Sequence, residues 1–297
     1  MNCKICDAPE MEVAFALRDY DILECKACGF RCIPYMDVEL DANPAASIVT
    51  DADVAEAERY AKKNLEHNAT KLRQMVAMLE ETTTAGSKVL DVGCGSGHFL
   101  AAIANTYEAT GIELSPVRFK LCKRRNLNVS MYPLNSDYWD GQLGTFGAVT
   151  LWDVIEHVNQ PKLIAKRAFE LLKPGGVLLM DTPSRDGVLY KAGELTARLT
   201  GGRYPTTMAA QYSPTPFNHK QIFRLTDMRS LLEEIGFQVD LRTRTELSMP
   251  GEFYISAMSK SKQLGRVIGP VADAAISVVP LNNKMIVMAM RPSSAIA

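Results

Sequence analysis

A seven-residue glycine-rich segment constrains the fold of this chain more than any other feature of its sequence. Residues Asp91–Gly97 read DVGCGSG and lie between an apolar run at Lys88–Val92 and a helical pattern that begins at His98. Glycine permits a sharp turn, and it lets a ligand approach the backbone because no Cβ stands in the way. A glycine loop between a strand and a helix is typical of a nucleotide-binding α/β domain.

Strand and helix patterns alternate along the chain after this loop. Further apolar strands are predicted at 109–114, 129–132, 148–152, 177–181, 238–242 and 284–290. Apolar residues at helical spacing predict a long helix at 52–79, either continuous or broken near His67. The alternation predicts an α/β fold class with a Rossmann-like, mostly parallel seven-stranded sheet and helices on both faces.

The composition along the chain predicts three parts. Residues 1–35 form a small cysteine-bearing module, residues 36–86 a linker and an N-terminal helix region, and residues 87–297 the α/β domain. Within that domain, 184–225 and 247–283 are longer than ordinary connections. Long insertions in compact domains are usually functional, so we expect these two to contribute to the site.

Four cysteines in the first module have the spacing of a metal site. Cys3 and Cys6 are separated by two residues, as are Cys25 and Cys28, and 18 residues lie between the pairs. This spacing predicts a zinc-ribbon-like module in which four thiolates hold one zinc ion. Because four thiolates leave no open coordination position, the zinc is expected to be structural. A redox pair is the alternative, but a redox CxxC normally lies beside a βαβ unit, and here the sheet begins far downstream.

The balance of charge argues against a nucleic-acid partner. The chain has 33 basic and 34 acidic side chains, whereas nucleic-acid binders usually carry a basic excess. The longest apolar run near the C-terminus is broken by Pro270 and Asp273, so no membrane span is predicted. With no secretory pattern at the N-terminus, we expect a cytoplasmic protein whose cysteines are reduced.

An acidic residue follows the glycine loop at the distance that a nucleoside site requires. Glu113 comes 22 residues after Asp91, at the end of the second predicted strand, where a carboxylate can accept hydrogen bonds from two ribose hydroxyls. This feature fits NAD as well as other nucleoside cofactors. The glycines, however, run GxGxG rather than the GxGxxG of dinucleotide sites.

Four segments in the same order resemble the motifs of class I S-adenosylmethionine (SAM)-dependent methyltransferases. They are LDVGCGSG at 90–97, GIELSP at 111–116, LWDVIEHV at 151–158 and LLKPGGVLLMDTP at 171–183. The resemblance covers roughly 87–238 and is strongest to the small-molecule branch that includes ubiquinone-type O-methyltransferases. The cysteine module is similar to that of zinc-bearing sugar C-methyltransferases, which are longer chains.

The resemblance implies a set of cofactor contacts. Gly93 and Gly95, in the loop that Asp91 opens, would flank the methionine part of SAM, and Glu113 would bind its ribose. Leu114 would pack against the adenine.

Four further contacts follow from the same resemblance. Asn135 would stand near the adenine amino group, although the chain reads Pro133-Leu134-Asn135 where the family often has Gly-Asp. Trp152 and Asp153 would line the methionine side, and Tyr60 of the N-terminal helix could cover the cofactor.

Two histidines are candidates for the base that a hydroxyl or carbon acceptor needs. His157 lies at the carboxyl end of the fourth predicted strand, and ligands of open α/β sheets bind outside such ends. His219, in PFNHKQIF, resembles the histidine that precedes the penultimate helix in zinc-bearing sugar methyltransferases, where it is a proposed base. Each histidine could instead support its loop.

The sequence thus predicts a SAM-dependent methyltransferase acting on a small-molecule acceptor in a biosynthetic pathway, by O- or C-methylation. One alternative is an RNA methyltransferase, since zinc modules also precede those domains. The other is a catalytically inactive SAM-binding scaffold, although retained Gly93, Gly95 and Glu113 favour cofactor binding.

Overall fold

The computed structural model describes residues 1–17, 19–38, 49–202, 208, 211–246, 261–278 and 281–293. Most of the predicted linker at 38–50 lies outside the described residues. Among the helices within these ranges, none is both long enough and apolar enough to cross a membrane.

Eleven strands occur in the described ranges. They are β1 (Met11–Ala16), β2 (Asp21–Cys25), β3 (Arg31–Cys32), β4 (Lys88–Val92), β5 (Glu108–Ile112), β6 (Val129–Ser130), β7 (Phe146–Trp152), β8 (Leu172–Pro183), β9 (Gln221–Ile222), β10 (Gln238–Arg244) and β11 (Lys284–Met290). The bounds of β4 and β11 are those predicted from the sequence, because each is a compact apolar run between polar turns.

The α-helices pack around these strands. They are α1 (Asp51–Thr82), α2 (His98–Ile103), α3 (Pro116–Arg124), α4 (Pro161–Leu171), α5 (Val188–Leu199), α6 (Leu225–Ile235) and α7 (Lys262–Val278). The long N-terminal helix α1 departs from helical geometry at Asn68, one residue from the predicted break. Helices α5 and α7 lie in the two segments that the sequence marked as insertions.

The main sheet has seven strands in the order β10-β11-β8-β7-β4-β5-β6. Strands β8, β7, β4, β5 and β6 run parallel, while β11 is antiparallel to both of its neighbours. This confirms the predicted mostly parallel seven-stranded sheet. The parallel strands bring their carboxyl ends to one edge, where the glycine loop and the segments after β5, β7 and β8 meet.

A second, antiparallel sheet joins the cysteine module to the main domain. Its order is β1-β2-β3-β9, and β9 comes from the segment between α5 and α6. Arg31 pairs with Ile222 and Cys32 with Gln221. The sequence analysis did not predict these strands, since the edge pairings are short and their apolar alternation is weak. The division into parts at 35 and 86 stays a prediction.

Helix α6 is capped by Arg224, whose backbone N–H donates to Asp227 Oδ2 at 2.8 Å. Thr226, two residues later, is of the type that caps helices, but it lies inside this one. The helix ends at Gly236, with φ +112°, a conformation that glycine adopts at low cost.

Candidate active site and cysteine cluster

The glycine loop is held in a conformation that side chains at two of its positions would disrupt. Gly93, Gly95 and Gly97 all have positive φ, between +59° and +77°. A Cβ on Gly97 would lie 2.4 Å from Leu127 Cδ1, and one on Gly93 would lie 2.7 Å from Val154 Cγ2. The loop therefore packs directly against the segment that follows β7.

Gly95 differs from these two glycines because the space in front of it is open. A Cβ there would meet only the backbone oxygen of Gly93, at 4.0 Å. The space belongs to a cavity of about 320 Å³ at the carboxyl edge of the sheet. Such an opening beside bare backbone is what a cofactor needs to approach the loop closely.

The cavity collects six of the nine predicted cofactor residues. These are Tyr60, Asp91, Gly93, Gly95, Trp152 and Asp153. Glu113, Leu114 and Asn135 are not among its lining residues: Glu113 is buried, Leu114 is half-buried and Asn135 is exposed. His98 also lines the cavity, with Nε2 3.1 Å from the backbone oxygen of Ala61.

Two buried carboxyl groups, those of Asp91 and Glu113, lie next to the glycine loop. Asp91 accepts a hydrogen bond from Thr150 Oγ1 at 2.7 Å, and burial raises its pKa to about 7. Glu113 accepts from the backbone N–H of Ser115 at 2.8 Å, and burial raises its pKa as well. Backbone N–H groups of Gly95 and Leu114 also hydrogen-bond to this carboxyl, which ties it to the glycine loop.

A network of six charged side chains reaches the cavity through Lys71, Asp153 and Glu246. It comprises Lys71, Arg244 and Lys284 with Asp153, Asp181 and Glu246. Lys71 Nζ lies 2.9 Å from Asp181 Oδ2 and 3.4 Å from Glu246 Oε1, and it also contacts Asp153. Asp153 has φ +53°, and its backbone N–H donates to Asp181 Oδ1 at 2.9 Å.

Only Asp153 of this network was predicted from the sequence as a site residue. Asp181 lies in the LLKPGGVLLMDTP segment but was not singled out there. The other four charges come from α1, β10, β11 and the residues after β10, where no local motif marks them. Three of the six side chains are basic and three are acidic, so each basic group lies beside an acidic one. Burial and the nearby Lys71 lower the pKa of Lys284 well below its ordinary value.

The structure brings the two candidate base residues together. The rings of His157 and His219 have centroids 4.6 Å apart in an edge-to-face arrangement. Between them lies Glu156, which the sequence analysis did not consider: its Oε1 is 3.9 Å from Nε2 of each ring. Glu156 is fully buried, and its Oε2 accepts from Thr182 Oγ1 at 3.0 Å. Neither histidine is among the residues that line the cavity.

Burial keeps both histidines neutral near physiological pH. It lowers the pKa of His157 to about 4, with contributions from His219 and Lys220, and it lowers the pKa of His219. His219 Nδ1 lies 3.1 Å from the backbone oxygen of Gln211, a partner to which only a protonated nitrogen can donate. The Nε2 atom of neutral His219 is therefore the one with a free lone pair.

The cysteine cluster, defined as Cys3, Cys6, Cys25 and Cys28, has the geometry of a tetrahedral thiolate site. Its four sulfurs lie within 4.8 Å of one another, with Cys3–Cys28 and Cys6–Cys25 separations of 3.7 and 3.6 Å. Zinc–sulfur bonds of about 2.3 Å give tetrahedral edges of about 3.8 Å. The donor set and the spacing therefore fit zinc.

We expect one zinc ion per chain in this cluster. Metal analysis of the purified protein by mass spectrometry checks this, and replacing Cys25 and Cys28 with serine should abolish zinc binding and unfold the β1-β2-β3-β9 sheet. Cys122→Ser, a buried cysteine next to the glycine loop, is the matched control and should retain zinc. Zinc near zero in the unmutated protein would contradict the assignment.

Gly95→Ala should mainly weaken SAM binding, whereas Gly97→Ala should mainly lower the stability of the protein. The Cβ of Gly95→Ala enters the cavity, so SAM affinity should fall about tenfold or more, a loss of about 1.4 kcal/mol. Gly97→Ala meets Leu127 instead and should lower the free energy of unfolding by about 1–3 kcal/mol through overpacking. Calorimetric SAM titration and urea unfolding measure the two effects. Equal SAM affinity in both variants would show that Gly95 does not face the cofactor.

Comparison with known proteins places this site in a family. A methyltransferase-domain family model matches residues 63–241. The ubiquinone biosynthesis O-methyltransferase of Xanthomonas axonopodis pv. citri is 30% identical over 180 residues, which cover 58% of this chain and 70% of that protein. The protein of the same name from Xanthomonas oryzae pv. oryzae is 38% identical over 107 residues, or 34% of this chain and 45% of that protein. The chain thus matches less than half of this second relative's length.

Solved structures share the fold at low sequence identity. A SAM-dependent methyltransferase from Archaeoglobus fulgidus has a TM-score of 0.50 at 17% identity, covering 76% of this chain and 93% of that one. The YcgJ protein of Bacillus subtilis has a TM-score of 0.53 at 13% identity, covering 76% and 100%. With its family-model match, its glycine loop and its sheet, the chain belongs to the methyltransferase-domain family and is a SAM-dependent methyltransferase.

Proposed function

We propose that this enzyme transfers the methyl group of SAM to a hydroxyl oxygen of a small-molecule acceptor, with His219 as the general base and His157 in support. The observation that carries this proposal is the free Nε2 of a neutral, partly buried His219 beside His157 and Glu156. The names of the two Xanthomonas relatives, both O-methyltransferases, support an oxygen acceptor.

The chain's own residues fit the cofactor at the carboxyl edge of the sheet. Gly93 and Gly95 would receive its methionine part, and Glu113 would accept from its ribose hydroxyls, with Leu114 and Asn135 toward the adenine. Trp152, Asp153 and Tyr60 would enclose the sulfonium side. When bound, SAM supplies a methyl group on a positively charged sulfur. The nucleophile attacks the methyl carbon in line, and the sulfur leaves as a neutral thioether.

The proton of the acceptor hydroxyl would pass to His219 as the oxygen–carbon bond forms. The imidazolium that results needs a nearby group to offset its charge. Burial raises the pKa of Glu156 to about 8. Its Oε1 lies 3.9 Å from His219 Nε2, and this oxygen would partly offset the charge of the imidazolium until the transferred proton passes from His219 to solvent.

C-methylation is the second candidate, and the cysteine cluster favours it through its similarity to zinc-bearing sugar C-methyltransferases. The same base would then take a proton from carbon. We further propose that zinc in this cluster has a structural role only, because all four coordination positions are filled by protein.

The function is tested with SAM carrying a labelled methyl group and a panel of small phenols, alcohols and keto sugars. Against the best acceptor, His219→Ala should lose about 100- to 10,000-fold in turnover, the usual contribution of a general base. SAM affinity should be retained, since the loop at 93–97 is separate. The product's carbon spectrum distinguishes O- from C-methylation. Near-normal turnover of His219→Ala on a hydroxyl acceptor would contradict the role.

The dependence of kcat/KM on pH provides an independent test. A base must be neutral to act, and burial lowers the pKa of His219 below its ordinary value of about 6.5. Activity should therefore be lost only as the pH falls below 6.5, with the midpoint on the acid side of that value. Glu156 and Lys220 are the charged groups near this pair that set the midpoint. An acid limb centred above pH 6.5 would mean that a different group is the base.

A further inference from the structure

The two histidines sit on different segments, and one buried side chain connects those segments to the cysteine module. His157 follows β7, while His219 precedes the first residue of β9 by two positions. Gln221, the first residue of β9, is fully buried. All three polar functions of its side-chain amide have protein partners, as described next.

The amide nitrogen of Gln221 donates two hydrogen bonds to the turn that carries Glu156 and His157. Its Nε2 donates to the backbone oxygen of Ile155 at 2.9 Å and to that of Val158 at 2.8 Å. These two oxygens flank the Glu156–His157 pair on either side. One side chain thus fixes both ends of the turn, which limits how the His157 ring can rotate or shift.

The amide oxygen of Gln221 faces the cysteine cluster instead. It accepts from Lys4 Nζ at 3.1 Å, and Lys4 lies in the chain between Cys3 and Cys6. The backbone of Gln221 also pairs with Cys32 of β3. A change in the fold of the cysteine cluster would therefore alter the position of Gln221, because both its side chain and its backbone contact that region.

Lys220 makes a parallel connection from the other side. Its buried Nζ donates to Asp37 Oδ2 at 2.7 Å and to the backbone oxygen of His157 at 2.5 Å. Its backbone N–H donates to the backbone oxygen of Glu156 at 2.9 Å. Asp37 follows the cysteine module in the chain, so the His157 turn is held at a second point by the segment directly after the module.

We propose that Gln221 is a positioning residue that fixes His157 against His219, and that Lys4 makes this alignment depend on the folded cysteine cluster. The inference rests on the proposed function in one respect, that these histidines are the groups needing alignment. Gln221 itself touches neither reacting atom. It acts by donating to two backbone oxygens of the turn, the buried one of Ile155 and the partly buried one of Val158.

Gln221→Glu is the sharpest variant, since it keeps the shape and the acceptor for Lys4 but removes both donors. It is tested in the full-length zinc-loaded protein with isotope-labelled histidine. In the unmutated protein, NMR should detect a ring-to-ring Overhauser contact between His157 and His219. Gln221→Glu should lose it, and the pKa of His157 should rise from about 4 toward the ordinary value of about 6.5. Asn128→Asp, an exposed amide at the sheet edge, is the matched control and should change neither.

SAM affinity separates a positioning role from general damage. Calorimetry should give Gln221→Glu the same SAM affinity as the control, because the glycine loop is untouched. An unchanged ring contact and unchanged histidine titrations in Gln221→Glu would overturn the proposal. If the contact is lost but His219→Ala retains turnover, the base assignment fails while the positioning role stands.

A second variant covers the case in which Gln221→Glu does not fold. Lys4→Met keeps both donors of Gln221 and removes only the bond from the cysteine cluster. It should weaken the ring contact and raise the pKa of His157 by a smaller amount, with SAM affinity again retained. If the histidine signals of Lys4→Met match those of the unmutated protein, the link from the cluster to the histidines is wrong.

Discussion

Parallel pairing of β4 with β5 and β7, and of β7 with β8, is the constraint on which the site depends. Parallel strands end at one edge of a sheet, so the segments that follow them are forced together there. The glycine loop follows β4, Glu113 follows β5 and Asp153 follows β7. The close fit of Gly93 against Val154 depends on this register, since a Cβ at that point would be only 2.7 Å away.

The cysteine module supplies a second constraint at the same edge. Strand β9 is only two residues long, and a pairing so short has little stability by itself. It is held by β3 on one side and by the bonds of Lys220 and Gln221 to the turn after β7 on the other. A closed metal site near β3 is one way for a small sheet to hold such an element in place. The module thus serves the main domain as a support for the segment that carries His219.

The parts of the molecule that could be predicted from the sequence are those marked by a short local pattern of residues. The glycine loop and strands β4 and β11 each have a motif or a compact apolar run, and His157 was marked by its place at the end of a predicted strand. Glu156 was passed over because a carboxyl next to a histidine looks like an ordinary solvated residue until burial is known. Gln221 and Lys4 are 217 residues apart, and their contact depends on β3 meeting β9, which no local pattern specifies.

Calorimetric titration of SAM into the unmutated protein and Glu113→Ala tests the central claim, that the carboxyl edge of this sheet holds a nucleoside methyl donor. The account predicts SAM binding that weakens about 10- to 100-fold in Glu113→Ala, because losing a charged acceptor costs about 1.5–3 kcal/mol. Asn128→Asp should bind SAM as the unmutated protein does. Unchanged SAM affinity in Glu113→Ala, or tight binding of NAD in place of SAM, would contradict it.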